Sequence, residues 1–174
     1  MLTLVIGGAG SGKSAFAEDL LCRRAGASRK IYLAAMEPFG AEAEERIRRH
    51  RAARAGRGFA TLEHYVNLKA AAVPPGAALL LEDLGNLCAN ELFSPLGAGE
   101  GAARAVMDGV ESLARRCRTL VLVSNEVCSG GADYGAETLR WMRVLSYVNR
   151  MTAALADEVY EVSGGLAERW KGAG

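Results

Sequence analysis

The sequence predicts an α/β fold in three layers, a mainly parallel sheet flanked by helices, and three observations predict it. Residues 2–14, Leu-Thr-Leu-Val-Ile-Gly-Gly-Ala-Gly-Ser-Gly-Lys-Ser, run a short apolar strand into the spacing G-x-x-x-x-G-K-S, which is a P-loop. Short leucine-rich or β-branched runs then alternate with longer helical patterns. Most of those runs lack polar alternation, the mark of strands buried on both faces of a parallel sheet. The class is therefore P-loop (RecA-like) α/β.

Strands are expected at 2–6, 31–35 (Ile-Tyr-Leu-Ala-Ala), 78–82 (Ala-Leu-Leu-Leu-Glu), 119–124 (Thr-Leu-Val-Leu-Val-Ser) and 158–163 (Glu-Val-Tyr-Glu-Val-Ser). Helices are expected at about 14–25, 41–55, 84–93, 100–116 and 136–156. Pro74-Pro75-Gly76 reads as the turn into the third strand, and Gly97-Ala98-Gly99 loosens the chain before the fourth helix. No repeat or linker interrupts the pattern, so the 174 residues form a single domain, 1–174, with half of them apolar.

A net charge of +1 predicts neither a nucleic-acid binder nor a membrane-surface protein. Cys22, Cys88, Cys117 and Cys128 are widely spaced with no C-x-x-C pair, which argues against a zinc site or a disulfide scaffold and for a reducing cytoplasm. The apolar run Leu2 to Ile6 is too short for a membrane span or a signal-peptide core.

The P-loop residues, Gly7, Gly8, Ala9, Gly10, Ser11, Gly12, Lys13 and Ser14, point to bound phosphate. The glycines let backbone N–H groups turn inward around phosphate oxygens. Lys13 reaches the outer phosphates as the catalytic cation, Ser14 ligates Mg²⁺, and the helix that follows adds the partial positive charge of its N-terminus. The third expected strand ends in Glu82-Asp83, where a P-loop enzyme places a carboxylate for magnesium or its waters; the plainer alternative is two solvated acids at a helix start. The fourth ends in Ser124-Asn125-Glu126, read as a ligand-facing cluster, against the simpler reading of Ser124 or Asn125 as a helix cap.

The segment 41–54, Ala-Glu-Ala-Glu-Glu-Arg-Ile-Arg-Arg-His-Arg-Ala-Ala-Arg, starts acidic and ends basic. That polarity suits a solvated helix face aligned with its dipole. The spacing adds a second reading. Arg46, His50 and Arg54 lie four residues apart, which sets an imidazole between two guanidinium groups on one helix face, suited to an anion and biased toward the neutral, nucleophilic ring. His64, in Leu-Glu-His-Tyr-Val, is expected on a partly exposed segment and receives no role.

Taken together, Gly-Gly-Ala-Gly-Ser-Gly-Lys-Ser, Arg46-Ile47-x-x-His50-Arg51, Leu80-Leu81-Glu82, Asn90-Glu91-Leu92-Phe93, Val123-Ser124-Asn125-Glu126-Val127, Val148-Asn149-Arg150 and Ala156-Asp157-Glu158-Val159 resemble a known family. It is the bifunctional adenosylcobinamide kinase and adenosylcobinamide-phosphate guanylyltransferase of cobalamin biosynthesis. The resemblance rests on the order and spacing of these motifs over most of the chain. It implies phosphorylation of the aminopropanol hydroxyl of adenosylcobinamide by a nucleoside triphosphate, ATP or GTP, followed by transfer of GMP from GTP to adenosylcobinamide phosphate. It also implies that His50 is the nucleophile that carries GMP. Nucleotide contacts are implied from Ala34, Ala35 and Met36, from Arg51, Ala52, Ala53 and Arg54, and from Glu63 and Glu82, with a homotrimer as the assembly. A carboxylate accepts two N–H bonds from guanine, so either Glu63 or Glu82 suits that role. The metal ligands expected are Ser14 and Glu82.

The chain departs from the family pattern at Gly10, where the family carries arginine, and at Cys128-Ser-Gly-Gly-Ala-Asp-Tyr134, where the family has Gly-x-Gly-Ile-Val-Pro. Its end, Gly164-Gly165-Leu-Ala-Glu-Arg-Trp-Lys, is also more polar. The loop change bears on corrinoid recognition more than on nucleotide chemistry. Two rival functions share the P-loop: another P-loop small-molecule kinase, with no use for His50, and a non-catalytic GTP-binding module, against which the intact Lys13-Ser14 pair argues.

Overall fold

In the computed structural model, residues 1–37, 48, 56–127 and 133–172 are described. They form one seven-stranded sheet with β1 at Leu2–Gly7, β2 at Lys30–Ala34, β3 at Phe59–Glu63, β4 at Ala78–Glu82, β5 at Thr119–Asn125, β6 at Glu158–Ser163 and β7 at Leu166–Lys171. The order is β3-β2-β4-β5-β1-β6-β7. Every pair is parallel except β6 with β7. The helices among the described residues are α1 at Lys13–Ala25, α2 at Leu84–Phe93, α3 at Ala102–Arg116 and α4 at Ala136–Leu155. None of the described helices is long and apolar enough to cross a membrane.

The strands are apolar on both sides because each side has its own core. Leu2, Leu4, Leu79, Leu81, Leu120 and Leu122 pack with Leu84, Leu87, Val110, Leu113 and Leu145 of α2, α3 and α4. The alternate positions Val5, Tyr32, Leu80, Val121 and Val123 pack with Ala17, Leu20 and Leu21 of α1. This is the period-two rule of a strand applied to a sheet covered twice. Truncating a fully buried side chain such as Leu80 to alanine is expected to cost about 2–5 kcal/mol.

Two strands go beyond the expected set. β3 is a half-exposed edge strand, and β7 returns antiparallel from a two-residue Gly164-Gly165 turn, with Ser163 opposite Leu166. The strand ending in Glu82 is therefore the fourth, and that ending in Asn125 the fifth. The expected helix 100–116 begins as a 3₁₀ turn at Gly99–Gly101 and becomes α-helical at Ala102. The expected helix 41–55 lies outside the described residues apart from Arg48, which is helical and exposed.

Topology places the site. β1 leads into α1 on one face, while its neighbour β5 leads toward α4 on the other, and β4 leads into α2 on that same second face. The carboxyl ends of β1, β5 and β4 thus open a crevice at a topological switch point, the position where such sheets bind ligands.

Candidate active site

The P-loop forms the floor of this crevice. Gly8, Ala9 and Gly10 are exposed, Lys13 is only 8% exposed, and no side chain caps the N-terminus of α1. Lys13 Nζ donates to the Gly8 carbonyl at 3.0 Å, and the Ser11 amide donates to the same oxygen at 3.3 Å. Burial pushes the Lys13 ammonium below the usual lysine range, while Asp83 and then Glu82 pull it back up.

Glycine is required in the loop for two different reasons. Gly12 has φ +92°, and a Cβ on it would lie 3.3 Å from Gly165 Cα. A Cβ on Gly7 would lie 2.4 Å from the Val162 carbonyl oxygen. The turn between β6 and β7 therefore abuts the loop, and the Gly165 amide donates to the Ser11 carbonyl at 2.9 Å. At Gly8 a Cβ would meet no described atom within 4 Å. Among the described residues the space at that position is open.

Across from the loop, Glu82 ends β4 on the α1 side of the sheet. It is 8% exposed. Ser14 Oγ donates to its Oε1, and the Tyr32 hydroxyl donates to its Oε2 at 3.1 Å. The reading of Glu82 as a solvated acid is thereby corrected. Asp83, joined to Glu82 by a cis peptide bond, turns to cap α2. It accepts from the Asn86 amide at 2.7 Å, Asn86 Nδ2 at 3.1 Å and Asn125 Nδ2 at 3.4 Å. Burial raises the Asp83 carboxyl above its ordinary value, aided by the charge of Glu82 and opposed chiefly by the Asn86 amide.

The expected ligand-facing cluster after β5 divides. Ser124 is fully buried and donates to Asn149 Oδ1 of α4 at 2.6 Å, so it serves the interior, and Asn149 Nδ2 returns to the Asn125 carbonyl at 3.2 Å. Ser124 and Asn125 also lie within β5, not at a helix cap. Glu126 is exposed at the strand's end, where its amide donates to the Gly7 carbonyl.

Ala34 ends β2, with Ala35 buried and Met36 partly exposed beyond it. Glu63 ends β3 and is exposed, receiving the Tyr65 hydroxyl at 3.0 Å. His64 Nε2 lies 3.0 Å from the Asn67 carbonyl oxygen. His50, Arg51, Ala52, Ala53 and Arg54, and Arg46 before them, lie outside the described residues. The structure thus brings together Gly7 to Ser14 and Glu82, with Ala34 and Glu63 on neighbouring strand ends toward the β3 edge.

A family model described as cobinamide kinase / cobinamide phosphate guanyltransferase, CobU, matches residues 3–169. The chain belongs to this family. The bifunctional adenosylcobalamin biosynthesis proteins CobU of Salmonella typhimurium and Escherichia coli K12 are each 31% identical to it over 184 residues, covering 98% of this chain and 100% of theirs. Among solved structures, the flagellar accessory protein FlaH of Methanocaldococcus jannaschii aligns with 98% of this chain and 78% of its own, at 10% identity and a TM-score of 0.49.

In this CobU-family chain two motif residues that carried the resemblance have structural roles. Asn90 Nδ2 donates to the carbonyls of Ala35 at 2.7 Å and Tyr65 at 3.0 Å, which ties the ends of β2 and β3 to α2. Glu91, 2% exposed, accepts the amides of Asn67 at 2.6 Å and Ala98 at 2.9 Å. Tyr32 is the contact at the site that sequence reasoning missed. Its signal was one phenol in an apolar strand, which needs a polar partner when buried.

Proposed function

We propose that this enzyme performs both family reactions at one triphosphate cradle, and that His50 carries GMP between them. In the kinase step the aminopropanol oxygen of adenosylcobinamide attacks the γ-phosphorus of ATP or GTP. A new P–O bond forms as the bond to the departing nucleoside diphosphate breaks. In the transfer step an imidazole nitrogen of His50 attacks the α-phosphorus of GTP, forming a P–N bond as pyrophosphate leaves. An oxygen of adenosylcobinamide phosphate then displaces the histidine, and the product is adenosylcobinamide-GDP.

The observation that carries the cradle is the pairing of Ser14 with Glu82 beside Lys13 at the switch point, and the role of His50 is supported by the family to which the chain belongs. Loop amides, the α1 N-terminus and Lys13 supply positive potential where charge gathers on transferring and leaving oxygens. Ser14 Oγ and the Glu82 carboxylate are hard oxygen donors of the kind Mg²⁺ takes, together with phosphate oxygens. Bound there, the ion would neutralise charge on the triphosphate.

Glu63, exposed at the end of β3, is the guanine reader in this proposal, because Glu82 already faces Ser14 and Tyr32 below the loop. Ala34, Ala35 and Met36 border the nucleotide, with Arg51 to Arg54 completing its contacts. A homotrimer is the proposed assembly, supported by Leu166 at 79% and Trp170 at 67% exposure on the edge strand β7. A reducing cytoplasm is the proposed location, supported by the free thiols of Cys22, Cys88 and Cys117.

The test is to follow corrinoid products after adding ATP, GTP and Mg²⁺ to enzyme and adenosylcobinamide. The phosphate should form and then be converted to the GDP derivative. His50→Ala should stop at the phosphate. Absence of any phosphorylated corrinoid with wild-type enzyme would refute the reading.

A further inference from the structure

We propose that Tyr32 is a positioning residue for the phosphate-site carboxylate: its hydroxyl fixes the Glu82 side chain so that Glu82 and Ser14 present oxygen to the metal of a bound metal–triphosphate. The inference rests on the assignment of Ser14 and Glu82 to that metal.

Tyr32 lies in the middle of β2, opposite Leu80 of the parallel strand β4, while Glu82 stands opposite Ala34. Tyr32, Leu80 and Glu82 therefore share the α1 side of the sheet. Two residues along a strand span about 6.6 Å, which is the reach of a phenol laid along the strand direction. The hydroxyl arrives 3.1 Å from Glu82 Oε2. The ring is 5% exposed and packs in the apolar cluster with Val5, Leu20, Leu21 and Leu80. A phenol is costly there without a hydrogen-bond partner, and the Glu82 carboxylate supplies one. Phenylalanine would fill the same space, so packing alone does not call for the hydroxyl.

The consequence is geometric. Ser14 Oγ on Oε1 and Tyr32 on Oε2 hold the carboxylate from opposite ends. A side chain free to rotate would lose entropy on meeting a cation, and one already fixed loses little. Replacing an outer partner of this kind typically weakens metal affinity by about 10–100-fold.

The experiment titrates Mn²⁺ into the full-length protein carrying a non-hydrolysable GTP analogue, with free Mn²⁺ read by electron paramagnetic resonance. The proteins are wild type, Tyr32→Phe, Glu82→Gln and the double variant, and binding of the analogue without metal is measured in parallel. Tyr32→Phe should weaken Mn²⁺ binding about tenfold while metal-free analogue binding holds. In the Glu82→Gln background the same change should have a much smaller effect. Equal losses in both backgrounds would mean that Tyr32 acts through packing, and this comparison holds even where Tyr32→Phe lowers the melting point. Unchanged Mn²⁺ binding in Tyr32→Phe, with binding weakened in Glu82→Gln, would overturn the role of Tyr32 alone. Unchanged binding in Glu82→Gln would overturn the metal assignment beneath it.

Discussion

Ser14 and Glu82 are hydrogen-bonded across the crevice, the hydroxyl at the start of α1 donating to the carboxylate at the end of β4. The contact spans 68 residues of sequence, so the phosphate loop and the β4 terminus form one unit only in the folded sheet. It also separates the two glutamates that suited guanine equally well in sequence. Glu82 is enclosed at the loop, and Glu63 is exposed on the edge strand.

From that separation, Glu63→Gln should lower kcat/KM for GTP in guanylyl transfer about tenfold, the worth of one charge-assisted hydrogen bond. Its kinase activity with ATP should persist. Glu82→Gln should impair both reactions whichever base the nucleotide carries. Steady-state kinetics with GTP, ITP and ATP checks this, and a base-selective defect in the Glu82 variant would reverse the assignment.

Lys13→Ala should slow both reactions by about 100-fold or more, the usual loss when one donor to a developing oxyanion is removed. One cradle is proposed to serve both steps. Guanylyl transfer at the wild-type rate in this variant would reveal a second nucleotide site.

Asp83 makes stability depend on pH. Its folded pKa is raised from the ordinary 3.8, mainly by burial, so between those two values the native state holds a proton that the unfolded chain has lost. Stability therefore falls as pH rises through that window, and the loss persists above it. An asparagine at this position keeps an oxygen for the Asn86 amide without the buried charge, and the bonds it gives up from Asn86 Nδ2 and Asn125 Nδ2 cost the same at every pH. Asp83→Asn should gain stability relative to wild type as pH increases from about 4, measured by urea unfolding across pH. A constant difference at all pH values would contradict this.

The layers and the P-loop were readable in sequence because Leu4 to Ile6, Ala78 to Leu81 and Leu120 to Val123 are apolar on consecutive positions, as a strand in a sheet covered on both sides requires, whereas the order of the strands came only from the fold. Phe59 to Glu63 was missed because an edge strand is half exposed and needs no such run. The β7 return did leave a signal, Gly164-Gly165 between two strand-like segments, the composition of a tight hairpin turn. At the site, residue types on the loop announced phosphate chemistry, but strand parity decided the rest. Ser124 donates to Asn149 of α4 while Asn125, the next residue along the strand, donates to Asp83, so two neighbours in sequence face different partners. Tyr32 was hidden for a related reason, since its partner lies 50 residues away on the adjacent strand.

The central claim is that His50 carries GMP, and the most direct measurement is retention of label by the protein after incubation with Mg²⁺ and GTP labelled at the α-phosphate. A phosphorus–nitrogen bond is lost in acid, because protonation makes imidazole a better leaving group, and it survives alkali. The protein should hold α-label that withstands alkali and disappears in acid, retain no γ-label, and lose the adduct in His50→Ala with much of the kinase reaction intact, while His64→Ala behaves as wild type. Persistence of the α-label in His50→Ala would contradict the central claim and return the arginine-rich segment to a solvated face.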